Sequence, residues 1–501
     1  MIPTDVKERI QGLARVFTER GRRLFLVGGS VRDRLLGRDV SDVDLATDAI
    51  PEEVKDLAQL VSPDALYLVG QKFGTVGLVF GDTKVEITTF RTEAYRPLSR
   101  WPDVAFTPTL EDDLWRRDFT VNAMAQDPLT SEVIDPTGGL GDLENRLLRA
   151  VGEPAERFAE DPLRLLRAVR FASQLGFAIE ERTAQAVSEQ AGMISTVSAE
   201  RIGEEMNRIL LSPHAAHGLR LARELGLLDL IVPELVRMES VPQGPYGPRD
   251  ALAHSLAALE RVQGQGSKAK GGAGALDPYR VQGPGSRVKG KAGTLEPVPL
   301  TLRWAALLHD IGKPATFFRD ATGIHFYNHQ MVGADMASGI LSRLRLERRT
   351  INTAVKLVRM HMRPLQYERA WSDGAVRRLM VDAGPDLGKL MQLARADLRA
   401  HDGHDEDVTL ALLAELESRC VSLGEAHDVH SLRSPLDGRE LMALFNRGPG
   451  PWLNEVKEHL LAHVLDGTLR PDDKDGAERL ARAYVDGLLR HGRRNQDNAI
   501  N

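Results

Sequence analysis

The chain has 501 residues, a net charge of −6 and one cysteine, Cys420. That length provides for several hydrophobic cores and two to four domains. A single thiol excludes an intramolecular disulfide framework and a cysteine-based zinc cluster, and no apolar run approaches the roughly 20 residues that cross a bilayer. No apolar leader opens the sequence, so a cytoplasmic protein without a membrane role is expected. Mild acidity gives no global attraction for polyphosphate, and any nucleic acid must be held by local basic patches.

Residues 1 to about 150 mix strand-like apolar runs (Leu24 to Val27, Val76 to Phe80, Val85 to Phe90) with short helical patterns and glycine-rich turns, which predicts a mixed head of strands and helices. From Glu156 onward apolar residues recur at helical spacing, as in Asp161 to Leu175, Glu200 to Leu211 and His217 to Leu228, and an all-helical remainder is expected. One stretch departs from this pattern. Arg261 to Pro278 and Arg280 to Pro297 are tandem copies rich in glycine, lysine and proline, separated only by Tyr279. Few of their residues can fill a core, so they read as a flexible basic insertion, either a neutral surface expansion or an arm that touches RNA phosphates.

Chemistry first shows in LFLVGGSVRDRLLGRDVSDVDLAT. A buried-type strand leads into Gly28 and Gly29, and a helix opens near Ser30, followed by Arg32. Free amides at such a turn attract phosphate, and glycine lets a triphosphate approach the backbone closely. Asp42 and Asp44, two apart on a strand, point both carboxylates to one face, where they can share hard divalent cations in a two-metal displacement. Asp-x-Asp alone is commonly a solvated turn; the glycine turn upstream makes the catalytic reading the better one. Glu86, on a later strand, is either a third carboxylate or an edge-strand charge.

GGSVRD followed by DVDLAT resembles the signature of the DNA polymerase β-like nucleotidyltransferase superfamily. RRDFTVNAMA, with Arg116, Arg117, Asp118 and Asn122, is similar to the ribose-selecting motif of bacterial class II tRNA nucleotidyltransferases and poly(A) polymerases; these groups can hydrogen-bond a 2′-hydroxyl and phosphate oxygens, and Asp118 can also cap a helix. DPTGGLGDL resembles the family's hinge between head and neck. EDPLRLLRAVRFA resembles its base-selecting helix, and by that resemblance Asp161, Arg164, Arg167 and Arg170 face the nucleotide, with Asp161 and Arg164 three apart on one helical face offering an acceptor and a forked donor to a base edge. SAERIGEEMNRILLSP resembles the helix that supports the neck, with Arg201 and Glu204 as buttressing partners.

Farther on, His254, His309 and Asp310 in LLHDIGK, and Asp397 in LARADLRAH resemble the metal ligands of an HD domain. Imidazole and carboxylate together suit Ni²⁺, Mn²⁺, Zn²⁺ or Mg²⁺. His329 and His361 stand ready to add a second ion or to contact phosphate. SPLDGRELMAL, Ser434 to Leu444, resembles a tail element of HD-bearing members.

The resemblance implies an α+β chain: a polymerase β-like nucleotidyltransferase head over residues 1–150, an all-α neck over 151–240, a helical HD domain over 241–430 carrying the insertion at 261–297, and a helical tail over 431–501. It implies addition of CTP and ATP to the 3′ end of tRNA with Mg²⁺ at Asp42 and Asp44, and phosphohydrolase activity behind it. The alternatives are a CC-only or A-only enzyme, a poly(A) polymerase, and an HD phosphohydrolase with an inactive RNA-binding head. The segment Arg91 to Phe106, where CC-only relatives are shortened, is retained here and favours full CCA synthesis. The sequence sets no oligomeric state.

Overall fold

In a computed structural model the described residues are 2–40, 42–69, 74–94, 103–242, 250–264, 298–399, 406–426 and 433–497. Both repeat copies lie outside them apart from the first few residues, and so does the centre of the 91–106 segment. The chain divides into two compact units, Met1–Pro233 and Glu234–Asn501. No helix of the described residues is long and apolar enough to cross a membrane.

The first unit opens with helix α1 (Thr4–Glu19), whose Ile10, Leu13 and Phe17 are buried. Then follow β1 (Leu24–Val27), α2 (Gly29–Leu35), β2 (Asp42–Thr47), α3 (Pro51–Gln59), β3 (Ala65–Val69), β4 (Thr75–Phe80) and β5 (Thr83–Thr89). A ribbon of β6 (Arg91–Ala94) and β7 (Asp103–Phe106) leads to α4 (Leu110–Trp115), and β8 (Ala125–Gln126) and β9 (Val133–Ile134) complete the sheet. Its order is β3-β4-β5-β2-β1-β8-β9; β2 and β5 run parallel and the other neighbours antiparallel. Along β2 the even positions Asp42 and Asp44 are exposed while Val43 and Leu45 are buried, the period of two that a half-covered strand imposes. Parallel pairing puts Asp44 beside Glu86.

Behind the head come α5 (Gly139–Glu144), α6 (Pro154–Glu160) and α7 (Leu163–Leu175), then the helices Glu181–Glu189, Ala199–Leu211 and Ala215–Glu224. The hinge-like motif is a closely packed joint: a Cβ on Gly139 would sit 2.3 Å from the Thr120 carbonyl oxygen, so only glycine fits there. The expectation that Asp161 and Arg164 share one helix does not hold. Pro162 disfavours the helical conformation in the residue before it, so Asp161 is extended (φ −140°, ψ 99°) in the joint between α6 and α7, and α7 begins at Leu163.

Among the described residues the second unit is helical, as the periodicity predicts, except for a small hairpin of Phe318–Asp320 and Gly323–His325. Its turn is local chemistry: the Asp320 carboxylate accepts from Thr322 N, and Gly323 takes a φ of 136°. The helices Ala251–Val262, Leu300–Leu308, His329–Arg343, Arg348–Met360 and Leu387–Arg399 pack around a core that includes Trp304. The tail element forms helix Gly438–Phe445, opened by an Asp437/Glu440 capping box and packed on helices Trp452–Leu465 and Lys474–Asp497 through Leu441, Trp452, Val456 and Leu460.

Candidate active site and metal centre

In the first unit a cavity of about 740 Å³ is lined by the catalytic and nucleotide-facing candidates singled out from the sequence, Glu86 excepted: Gly28, Gly29, Ser30, Arg32, Asp42, Asp44, Arg116, Arg117, Asp118, Asn122, Asp161, Arg164, Arg167 and Arg170. The glycine turn and the strand that follows it are tied by one side chain. Ser30 Oγ donates to the Asp42 carbonyl (3.3 Å) and accepts from Asp44 N (2.9 Å), which fixes the two aspartates relative to the start of α2. Gly28 has φ +67° and ψ −134°, and its missing Cβ leaves room for Arg117 Nη1, which would lie 2.8 Å from it.

Asp44 reaches the cleft, yet the protein wall around it displaces water, and with Glu86 and Asp42 beside it this outweighs Arg117 and Arg32 and pushes its carboxyl up to about 6. A crowded carboxylate group of this kind is relieved by a divalent cation. Hard oxygen donors on adjacent same-face positions fit a hard divalent cation.

A buried polar network stands next to this pair. Asp118 accepts from Arg167 (Nε 2.8 Å, Nη2 2.5 Å), from Asn122 Nδ2 (3.2 Å) and from Phe119 N (2.9 Å), and Asn122 Oδ1 in turn accepts from Arg32 Nη1 (2.5 Å). Burial opposes charge on Asp118, but Arg167 and the hydrogen bonds overrule it and hold the carboxyl at about 2. The bond to Phe119 N shows that Asp118 satisfies local backbone and binds Arg167 at once.

The two base-reading candidates are held apart by other partners. Asp161 is engaged by Arg201 Nη2 (3.0 and 3.3 Å), and Arg164 donates to Glu160 (2.7 Å), Arg157 O (3.0 Å) and Arg116 O (3.3 Å). Arg201 therefore braces a site residue directly. Its expected companion Glu204 is exposed, and the buried carboxylate one position on, Glu205, bonds Arg170 (2.9 Å) and Arg208 (3.1 Å). Sequence reasoning also missed Asp113, a carboxylate 1% exposed that binds Arg116 and Arg117; the acidic run EDDLW was the available signal.

In the second unit all six rear candidates converge. His254, His309 and Asp397 offer one set of ligand atoms, and Asp310, His329 and His361 another. His254 Nε2 lies 2.9 Å from Asp397 Oδ1 and 3.1 Å from His309 Nε2; His329 Nε2 lies 3.5 Å from Asp310 Oδ1 and 3.3 Å from His361 Nε2. The Nδ1 atoms of His309, His329 and His361 each donate to the carbonyl three residues earlier (Ala306, Phe326 and Val358; 2.9, 2.8 and 2.7 Å), which turns each of these Nε2 atoms inward. Burial works against charge on His309, but Asp310 and Asp397 outweigh it and hold it up at about 10, whereas burial and His309 press His361 down to about 4. Such a donor set fits a divalent ion. A cavity of about 530 Å³ opens onto Asp310, His329 and Asp397, with Lys313 Nζ 2.6 Å from Asp310 at its edge.

Residues 24–149 match the Poly A polymerase head domain, 176–238 the probable RNA and SrmB-binding site of polymerase A, and 277–401 the HD domain. The chain is similar to the A-adding tRNA nucleotidyltransferase of Deinococcus radiodurans, 33% identical over 470 residues that make up 92% of this chain and 94% of that one. It is also similar to the CCA-adding enzyme of Geobacillus thermodenitrificans, 46% identical over 217 residues, 43% of this chain and 52% of that one. Among solved structures, the Bacillus stearothermophilus CCA-adding enzyme in complex with CTP superposes with a TM-score of 0.61 at 25% identity, covering 98% of both chains. With a full-length relative at this identity and a polymerase head, an RNA-binding segment and an HD domain in order, the chain belongs to the tRNA nucleotidyltransferase family.

Proposed function

We propose that this chain adds CMP and AMP units from CTP and ATP to the 3′ end of tRNA, completing the CCA sequence without a template. The observation that carries this reading is the convergence, in one cavity, of Asp42 and Asp44 with the Gly28 turn and the arginine and aspartate groups of residues 116–170. Mg²⁺ held by Asp42 and Asp44 supplies the positive charge that activates a 3′-hydroxyl and neutralises departing pyrophosphate. The amides at Gly28 and Gly29, with Arg116 and Arg117, bind the triphosphate; Arg32, Asn122 and Asp118 face the ribose; Arg167 and Arg170 hold that layer in place. Asp161 accepts from the exocyclic amine of cytosine or adenine and Arg164 donates to the ring, so protein side chains replace a template strand. Both must first exchange the partners that hold them in the free protein.

A second reading, A-only addition, is favoured by one observation: at the level of sequence, similarity to an A-adding enzyme runs the full length, whereas similarity to the CCA-adding sequence of Geobacillus thermodenitrificans spans about half of each chain. In the second unit, His254, His309, Asp310 and Asp397 would hold a divalent ion, Ni²⁺, Mn²⁺, Zn²⁺ or Mg²⁺, with His329 and His361 completing a second donor set, and that ion would supply the Lewis acidity for hydrolysis of a phosphate ester. The domain limits belong to the same proposal, with the head at 1–150, neck at 151–240, HD domain at 241–430 and tail at 431–501, and so does a cytoplasmic location.

The test supplies Mg²⁺, CTP, ATP or both to tRNA transcripts ending before C, after C and after CC, and reads product length. Completion of all three to CCA, lost in Asp42→Ala, is the expected result. Extension of the CC-ended transcript alone identifies an A-adding enzyme, long adenosine tails a poly(A) polymerase, and no extension refutes the transferase reading.

A further inference from the structure

Arg116 and Arg117 stand side by side in sequence, and two adjacent guanidinium groups repel unless something between them carries negative charge. The group that does so lies outside every sequence motif of the head. Asp113, in α4, is 1% exposed and touches no open part of the cavity. Its Oδ1 accepts from Arg116 Nε (2.9 Å) and Nη2 (2.7 Å), and its Oδ2 accepts from Arg117 Nη2 (3.0 Å). The backbone N–H of Arg91, the first residue of β6, also donates to Oδ1 (3.4 Å).

Each oxygen thus serves one arginine, and the two guanidinium groups are aimed from one fixed point. The distal end of Arg117 is placed against Gly28 and beside Asp44; their atoms are the nearest that a Cβ added to that glycine would meet. Its Nε is buried with no hydrogen-bond partner among the described residues, so the whole orientation of this side chain rests on the Nη atoms and on Asp113. Arg91 and Arg116 line the same cavity.

The geometry points to Asp113 as a positioning residue for the transferase: it holds the Arg116–Arg117 pair toward the triphosphate and ties the base of the β6–β7 ribbon to that pair. This rests on the proposal that the two arginines bind the triphosphate. Asp113 itself contacts no substrate. It acts by removing the torsional freedom of two long side chains before the nucleotide arrives, so that their charge-assisted bonds to phosphate oxygens form at little entropic cost.

The test measures binding of ATP and of adenosine to the full chain by calorimetry, with melting temperature recorded in parallel, for the wild type, Asp113→Asn, Arg117→Ala and the double variant. The expectation is that Asp113→Asn weakens ATP about tenfold or more while adenosine binding stays unchanged, and that adding it to Arg117→Ala weakens ATP less than it does in the wild type, the remainder being the share carried by Arg116. Asp113→Glu, which keeps the charge but moves it by one methylene, is expected to leave adenosine binding at the wild-type level and to retain ATP affinity in part. If Arg117→Ala leaves the ATP-to-adenosine ratio intact, the reading of the arginine pair fails. If Arg117→Ala lowers that ratio but Asp113→Asn and Asp113→Glu do not, or if ATP and adenosine weaken equally in step with melting temperature, the positioning role is overturned alone.

Discussion

Asp118→Asn removes the charge at the centre of the buried network while keeping its shape. The carboxyl sits at about 2 instead of 3.8, and since each tenfold in the proton equilibrium is 1.36 kcal/mol, the native state favours the ionised form by about 2 kcal/mol. Because the folded value is depressed, that stability is fully present above pH 4, the ordinary range of an unfolded aspartate, and is lost as pH falls through about 2. For a unit of the size of Met1–Pro233, about 2 kcal/mol corresponds to a melting shift of roughly 4–8 °C. Calorimetric scans at pH 7, 5 and 3 check this. The variant's transition is expected about 4–8 °C below wild type at pH 7 and 5, with the gap narrowing at pH 3. A gap of the same size at all three values, or none at pH 7, refutes the assignment of the stabilisation to this carboxylate. In the transfer assay the same variant is expected to use dATP and dCTP more nearly as well as ribonucleotides, since Asn122, and through it Arg32, loses a charged anchor.

Gly28→Ala forces a side chain into φ +67° and against Arg117, a backbone cost of roughly 1–3 kcal/mol; turnover is expected to fall at least about tenfold, read by single-nucleotide extension. Arg201→Ala frees Asp161 from its brace, and incorporation of UTP and GTP relative to CTP and ATP is expected to rise about tenfold in competition assays. At the rear site His309 is held protonated near 10, so an entering ion must displace that proton. Mn²⁺ titrated into chelator-stripped protein in two buffers of different ionisation enthalpy is expected to release about one proton more than into His309→Ala, and equal release in the two proteins would exclude the assignment.

Local pattern revealed the parts of this molecule that repeat locally. The strand period placed Asp42 and Asp44 on one face, and the helical period marked the second unit. What periodicity conveys poorly is interruption: Asp161 to Leu175 has a continuous apolar rhythm, yet Pro162 divides it and puts Asp161 on an extended residue. Long-range pairing was equally hidden. Glu86 meets Asp44 only because β5 inserts beside β2 in parallel, a crossover that no residue spacing announces. Glu205 and Glu204 are chemically the same in sequence; which one turns toward Arg170 depends on helix phase relative to α7. Asp113 sits among three consecutive carboxyl-bearing residues, Glu111 to Asp113, and only packing shows which of them is enclosed. The six rear candidates, by contrast, do come together, and the resemblance to an HD domain picked them out across a long insertion.

The break at Pro162 has a mechanical meaning. On the proposed reading of cytosine and adenine by Asp161 and Arg164, one pair of groups must close on rings of two sizes. Arg164 is seated in a regular helix and clamped by two backbone carbonyls, so it behaves as the fixed jaw of a caliper. Asp161 stands on a single extended residue between two helices, and rotation about its side-chain torsions shifts its carboxylate without moving either helix. The span between the jaws is thereby adjustable at one bearing, and Arg201 is the stop that sets where the sliding jaw rests.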